Sequence, residues 1–231
     1  MALFARIINL SHRTDRWERM HPFLDLGLDI QRFNAVQVTR ERALEVVDEN
    51  EHAALLDPWP RTSDQQLKGL GAVGCYLSHV RVWQEFLESD ATTALIMEDD
   101  VDPKHALTLR LLLWELQHDP KIDNWDVGLL GWVGTTYDPY KGFIGAHAYL
   151  LTRKAAKELL KDAFPLRMQV DYYLNEKIRE GLKLCTVSPK DRIRQQYSES
   201  NVYTTTWLHW AYLGMALFSV TYLLTYVKTK A

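Results

Sequence analysis

Cysteine is scarce: the 231 residues hold two, Cys75 and Cys185, in unrelated contexts and without metal-ligand spacing. That excludes a disulfide-stapled scaffold, and both are expected as reduced core thiols. Long basic runs are missing too. Lys and Arg number 27 against 30 Asp and Glu, a formal net charge of -3 that gives nucleic acid no electrostatic footprint. The first ten residues have no leading basic region, and Arg6 interrupts their short apolar stretch, so they lack the pattern of a secretory signal and read as a first strand. What remains is ordinary for a folded protein, 47% hydrophobic and 25% charged, with a length that suits one domain and an appendage.

Against this background one stretch stands out. Ala94-Leu95-Ile96-Met97 runs without charge into Glu98-Asp99-Asp100, with Asp102 two positions on. A buried strand that delivers acids to a sheet edge has this pattern. Close carboxylates repel one another, and a hard divalent cation such as Mg²⁺ or Mn²⁺ offsets the repulsion while sharing its oxygen ligands with a diphosphate. The same residues also read as a solvated acidic turn, because Asp102-Pro103 is a helix start.

The rest of the chain alternates strand and helix signals. Phe4 to Leu10 predicts a strand, the turn from Ser11 to Arg16 follows, and a helix runs through Trp17, Met20 and Leu24. Arg13 and Arg16 could meet a nucleotide's phosphates there, or simply solvate a helix start. Ile30 to Ala35 reads as a second strand, and Thr39 as the cap of a helix through Ala43 and Val47. Pro58-Trp59-Pro60 forbids regular structure. Gly71 to Trp83 reads as a helix that packs closely through its glycines, carrying Ser78 and His79 toward either ligand or core. Pro103 to His118 predicts a leucine-rich helix, Trp125 to Leu130 a strand, and Gly131 to Tyr140 a loop able to cover a sugar. Phe143 to Leu151 is a strand, Thr152 caps a helix from Arg153 to Leu160, Asp171 starts another that stops near Gly181, and Leu182 to Val187 is a last short strand. The alternation predicts an α/β sandwich on a mainly parallel sheet.

Trp207 to Val227 is of another kind: twenty-one residues with no formal charge. As a helix they would span about 31 Å at ~1.5 Å per residue, enough for a bilayer core. Trp207, Trp210 and Tyr212 at one end and Tyr222 and Tyr226 at the other resemble interfacial belts. The alternative is a docked C-terminal helix with Thr221 and Thr225 outside. The expectation is a single-pass anchor over 204–231 that leaves the domain at 1–203 in the cytosol.

Taken together, several segments resemble glycosyltransferase family 25, the group of lipooligosaccharide-type galactosyltransferases and collagen galactosyltransferase domains. They are Ile7-Ile8-Asn9-Leu10 with Arg13 and Asp15-Arg16, Gly71 to His79, Ala94 to Asp100, Gly145 to Leu151 with Ala155-Ala156 and Leu159-Leu160, and Val170-Asp171. The resemblance covers roughly residues 4 to 200. It implies a GT-A-like (Rossmann-like) fold and a UDP-sugar donor contacted by Asn9, Leu10, Arg13, Arg16, Glu98 and Asp99. It also implies Mn²⁺ or Mg²⁺ held by Asp100 with Glu98 or Asp102, since Glu98-x-Asp100 departs from Asp-x-Asp while Asp100-Val101-Asp102 matches it literally. Asp171 is implied as the base, with helix N-capping as its other role, and His79 and His147 as substrate contacts. The function so implied is transfer of galactose or glucose to a hydroxyl on a glycan, a lipid-linked glycan or a protein. A membrane-tethered nucleotide- or carbohydrate-binding module without turnover is the alternative.

Overall fold

A computed structural model describes residues 2–57, 63, 65–118, 124–138, 142–187 and 192–196. The proposed anchor at Trp207 to Val227 and the Pro58-Trp59-Pro60 segment lie outside the described residues. Among those described, no helix is long and apolar enough to cross a membrane.

In chain order the elements are β1 (Leu3–Asn9), α1 (Thr14–Arg19), α2 (His21–Leu24), β2 (Ile30–Asn34), α3 (Arg40–Val46), α4 (His52–Leu56), α5 (Gly69–Glu88), β3 (Thr93–Glu98), α6 (Ala106–His118), β4 (Val127–Asp138), β5 (Gly142–Thr152), α7 (Arg153–Lys161), α8 (Val170–Arg179) and β6 (Leu184–Thr186). Two caps form as the sequence predicts: Thr39 Oγ1 accepts from the Arg42 N–H and Thr152 Oγ1 from the Ala155 N–H.

The strands make one six-stranded sheet in the order β2-β1-β3-β5-β4-β6. β1 pairs in parallel with β2 and β3, and β4 in parallel with β6, while β5 runs antiparallel to both its neighbours. The sheet is therefore mixed, with β5 alone reversed. Strand residues alternate between two cores: Phe4, Ile8, Ala94, Ile96, Tyr149 and Leu151 face one, and Ala5, Ile7, Leu95, Met97, Ala148 and Leu150 the other. Residues of α5, α7 and α8 complete the first core and those of α1, α2 and α6 the second. Covering both faces is why the strands read as continuous apolar runs.

Two expectations are corrected. Gly131 to Asp138 is not a loop but the second half of β4, whose Asp138 pairs with Gly142 (φ 83°) at the start of β5. Glycine in this strand makes room rather than breaking it: a Cβ at Gly131 would sit 2.6 Å from His147 Nε2 and 2.7 Å from the Ile193 oxygen. The single helix through Leu24 is instead two short ones, α1 and α2, meeting at Met20.

Candidate functional site

The carboxyl ends of β1 and β3 lie side by side, with Ile8 in register with Glu98. Reversal of β5 brings its starting half to the same edge, since Ala148 pairs with Met97. Ligands of open α/β sheets bind at such edges. Here the edge opens into a cleft of about 320 Å³. Ile8, Leu10, Ala35, Val36, Val38 and Leu70 give it apolar walls, and Arg16, Cys75, Ser78, Glu98, Asp99 and Asp100 line it with polar groups.

Two close approaches hold the wall formed by residues 35–38. Ser78 Oγ accepts from the Val36 N–H at 2.8 Å while donating to the Gly74 carbonyl at 2.6 Å. A Cβ at Gly74 would sit 2.5 Å from the Val36 oxygen, so only glycine lets the helix reach this backbone.

The three consecutive acids have three different environments. Asp99 accepts from Asn9 Nδ2 at 2.6 Å and from Arg16 Nη1 at 2.8 Å. Asn9 is itself held by Arg32, whose Nη2 donates to Asn9 Oδ1. Arg16 is buried, yet its Nε and Nη2 have no hydrogen-bond partner. Asp100 accepts from Gln195 Nε2 at 2.5 Å through one oxygen, and its other oxygen is buried without a partner. Burial pushes its carboxyl well above the usual range, and the charges of Glu98 and Asp99 add to that against the Gln195 bond.

Glu98 accepts from His79 Nε2 at 3.3 Å. Burial works to raise its pKa, but the hydrogen bond from His79 and the positive charge of Arg16 outweigh it and hold the carboxyl below its ordinary value. Behind it runs a buried chain, in which Trp83 Nε1 donates to Tyr149 Oη at 2.9 Å and that oxygen lies 2.9 Å from His79 Nδ1.

The other residues singled out in the sequence lie around this group. Arg13 forks onto Asp15, with Nη2 2.7 Å from Oδ2, while its carbonyl accepts from Asn9 Nδ2 at 3.1 Å. Asp102 turns away from the cleft: its Oδ1 caps the Lys104 N–H and its Oδ2 pairs with the Lys104 ammonium. Asp171 stands in the first turn of α8, accepting the Gly145 N–H at 2.8 Å on one oxygen and the Tyr172 N–H at 2.9 Å on the other. Burial raises it to about 6 against those two bonds. His147 places Nε2 3.0 Å from the Ile193 carbonyl, which can only accept, so Nε2 carries the proton and Nδ1 is left as a buried acceptor without a partner. Burial lowers its pKa despite that bond, so the ring is neutral.

Three contributors escaped the sequence reading. Cys75 lines the cleft, at the i,i+4 spacing to His79 that puts both on one helix face. Tyr149 read as strand core, and its hydroxyl emerges only from the fold. Gln195 lies 95 residues from Asp100 and is brought there because residues 192–196 run along the sheet edge, with Ile193 N–H bonded to the Leu130 carbonyl and Gln196 N–H to that of Asp100.

Residues 4–139, more than half the chain, match the model of glycosyltransferase family 25, described as an LPS biosynthesis protein. The chain belongs to glycosyltransferase family 25. It is similar to a glycosyltransferase 25 family member of Anopheles gambiae, 28% identical over 183 residues, and to procollagen galactosyltransferase 1-A of Xenopus laevis, 29% identical over 187 residues. Each alignment covers 73% of this chain and 30% of the relative, so the chain spans about a third of the relatives' length. A solved glycosyltransferase involved in glycosylation of the major capsid of PBCV-1 overlays at a TM-score of 0.48 and 9% identity, covering 89% of this chain and 97% of that one, too loosely to carry an argument.

Proposed function

We propose that the chain is a metal-dependent hexosyltransferase with a GT-A-like fold, moving galactose or glucose from a UDP-sugar to a hydroxyl on a glycan, a lipid-linked glycan or a protein. One observation carries this reading: a single cleft is lined both by a buried guanidinium with two unpartnered nitrogens, Nε and Nη2 of Arg16, and by a buried carboxyl group with an unpartnered oxygen, on Asp100. A phosphate satisfies the first and an oxygen-preferring cation the second, and a nucleoside diphosphate with its metal brings both.

The donor set fits that cation. Asp100 has an oxygen to give, and Glu98 is the second acid. Asp99 is committed to Arg16 and Asn9, and Asp102 to its cap and Lys104. When bound, Mn²⁺ or Mg²⁺ supplies positive charge against the departing diphosphate. Arg16 places its spare N–H groups on phosphate oxygens while Asp99 fixes the guanidinium plane. Ile8, Leu10, Ala35, Val36 and Val38 exclude water from the nucleoside. Glu98, steadied by His79, orients the ribose or the sugar.

Asp171 takes the proton from the acceptor hydroxyl. With a pKa of about 6 it is ionised at neutral pH, and each oxygen keeps a lone pair beyond its backbone bond. The same two backbone bonds favour the other reading, a binding module in which Asp171 only joins α8 to Gly145. UDP release from a panel of UDP-sugars, with and without Mn²⁺, separates the two. Metal-dependent release from a galactose or glucose donor is expected, and tight UDP binding without release from any donor would leave the binding module.

A further inference from the structure

Cys75, His79 and Glu98 each present one donor atom, sulfur, nitrogen and oxygen, and the three lie within 4.8 Å of one another. Two come from one face of α5 at i,i+4, and the third from the end of β3, so rigid elements rather than loops set their spacing. Zinc bond lengths of ~2.3 Å to sulfur and ~2.0 Å to nitrogen and oxygen give tetrahedral edges of ~3.3 Å for N···O and ~3.5 Å for S···O. The distances here are 3.3 Å from His79 Nε2 to Glu98 Oε1 and 3.9 Å from Cys75 Sγ to the same oxygen. The first edge is already met, and the second closes with a shift of about 0.4 Å.

We propose that these three residues form a second cation site, for a thiophilic divalent ion of the zinc class, and that filling it blocks the cleft. The sulfur and imidazole donors select a softer ion than the oxygens of Asp100 do. Cys75 gives up its thiol proton to solvent as it coordinates. His79 exchanges through solvent the Nε2 proton that it gives Glu98 for one on Nδ1, where Tyr149 Oη accepts it and steadies the ring, so that Nε2 has its lone pair for the ion. Cys75 and Glu98 both line the cleft, so the fourth coordination position opens into it, and Glu98 is withdrawn from the ligand. The cation site stands on the three donors alone, and the block on transfer rests on the hexosyltransferase reading.

Cobalt(II), bound by the full chain in place of zinc, tests the site through its thiolate-to-metal charge-transfer absorption. The expected result is a band that saturates in the wild type, is displaced by Zn²⁺, survives Cys185→Ser and is lost in Cys75→Ser whose metal-free circular dichroism is unchanged. Should Cys75→Ser not fold, Glu98→Gln keeps the thiolate and weakens cobalt binding by at least about tenfold, the lower end of what losing even an outer partner costs. No band in the wild type, a band that persists in folded Cys75→Ser, or undiminished affinity in Glu98→Gln would overturn the site. Under saturating Mn²⁺, Zn²⁺ is expected to inhibit UDP release. A cobalt band without inhibition would overturn the block alone, and a chain that releases no UDP under any condition would overturn the enzymatic reading while the band still decides the site.

Discussion

Arg16 and Asp99 stand 83 residues apart in sequence and 2.8 Å apart in space, and their ion pair ties α1 to the end of β3 inside the cleft. Their side chains are 4% and 9% exposed, so neither charge has water to fall back on. Removing one partner strands the other. Arg16→Ala is expected to cost about 3 kcal/mol of stability and to abolish diphosphate binding in the fraction that folds. Arg16→Lys keeps the charge but not the fork, and should recover stability more than binding. Chemical denaturation beside UDP titration checks both.

Gly74→Ala should act on the donor rather than on the chemistry. Its Cβ would press on the Val36 carbonyl, a backbone atom that cannot swing aside, and so push the 35–38 wall off α5. An overpacking cost of about 1–3 kcal/mol is expected, with a raised donor KM and a smaller change in kcat. Steady-state kinetics with donor varied distinguishes this from a uniform loss of folded protein.

The pH dependence of Asp171 has opposite signs for turnover and stability. As the base it must be ionised, so kcat falls as pH drops through about 6. Its folded pKa lies above the ordinary value of 3.8, so protonation favours the folded state: that contribution is complete below the unfolded value and is lost as pH rises through about 6. Asp171→Asn sets an amide N–H₂ against one of two backbone N–H donors and costs about 1–3 kcal/mol. Beyond that, kcat per folded molecule should fall by about 10²–10⁴-fold. Unchanged turnover per folded molecule would assign Asp171 to joining α8 and β5 alone.

Membrane attachment is predicted from residues 204–231. Full-length protein should stay with membranes through a carbonate wash, and protease added to intact vesicles should digest residues 1–203 if that domain is cytosolic. Release by carbonate would refute the anchor, and a protected domain would reverse the orientation.

Much of the frame could be read from local signals. Capping hydroxyls at Thr39 and Thr152, the apolar runs of β1 and β3 and the acids after Met97 are written over a few neighbouring residues, where propensity and periodicity act. The reversal of β5 could not be read that way, because Ala146 to Leu151 is buried on both faces and such a run carries no direction. Gly131 misled for a similar reason: its missing side chain serves His147 and Ile193, neither adjacent in sequence. At the site, the acids were legible but their division of labour was not. Asp99 is neutralised from α1, Asp100 is reached by Gln195, and Asp102 is taken by Lys104, three outcomes set by tertiary placement.

The most direct test of the cleft as a metal–diphosphate site is UDP binding to the full chain at fixed Mn²⁺, comparing wild type with Asp100→Asn by calorimetry. Asparagine keeps the shape at this position while removing the buried carboxylate whose second oxygen has no partner. The account predicts tight binding to the wild type that chelator weakens, and binding to Asp100→Asn that is weak and indifferent to Mn²⁺, in a protein at least as stable as the wild type without metal. Equal affinity in both proteins, with the same response to Mn²⁺, would contradict it.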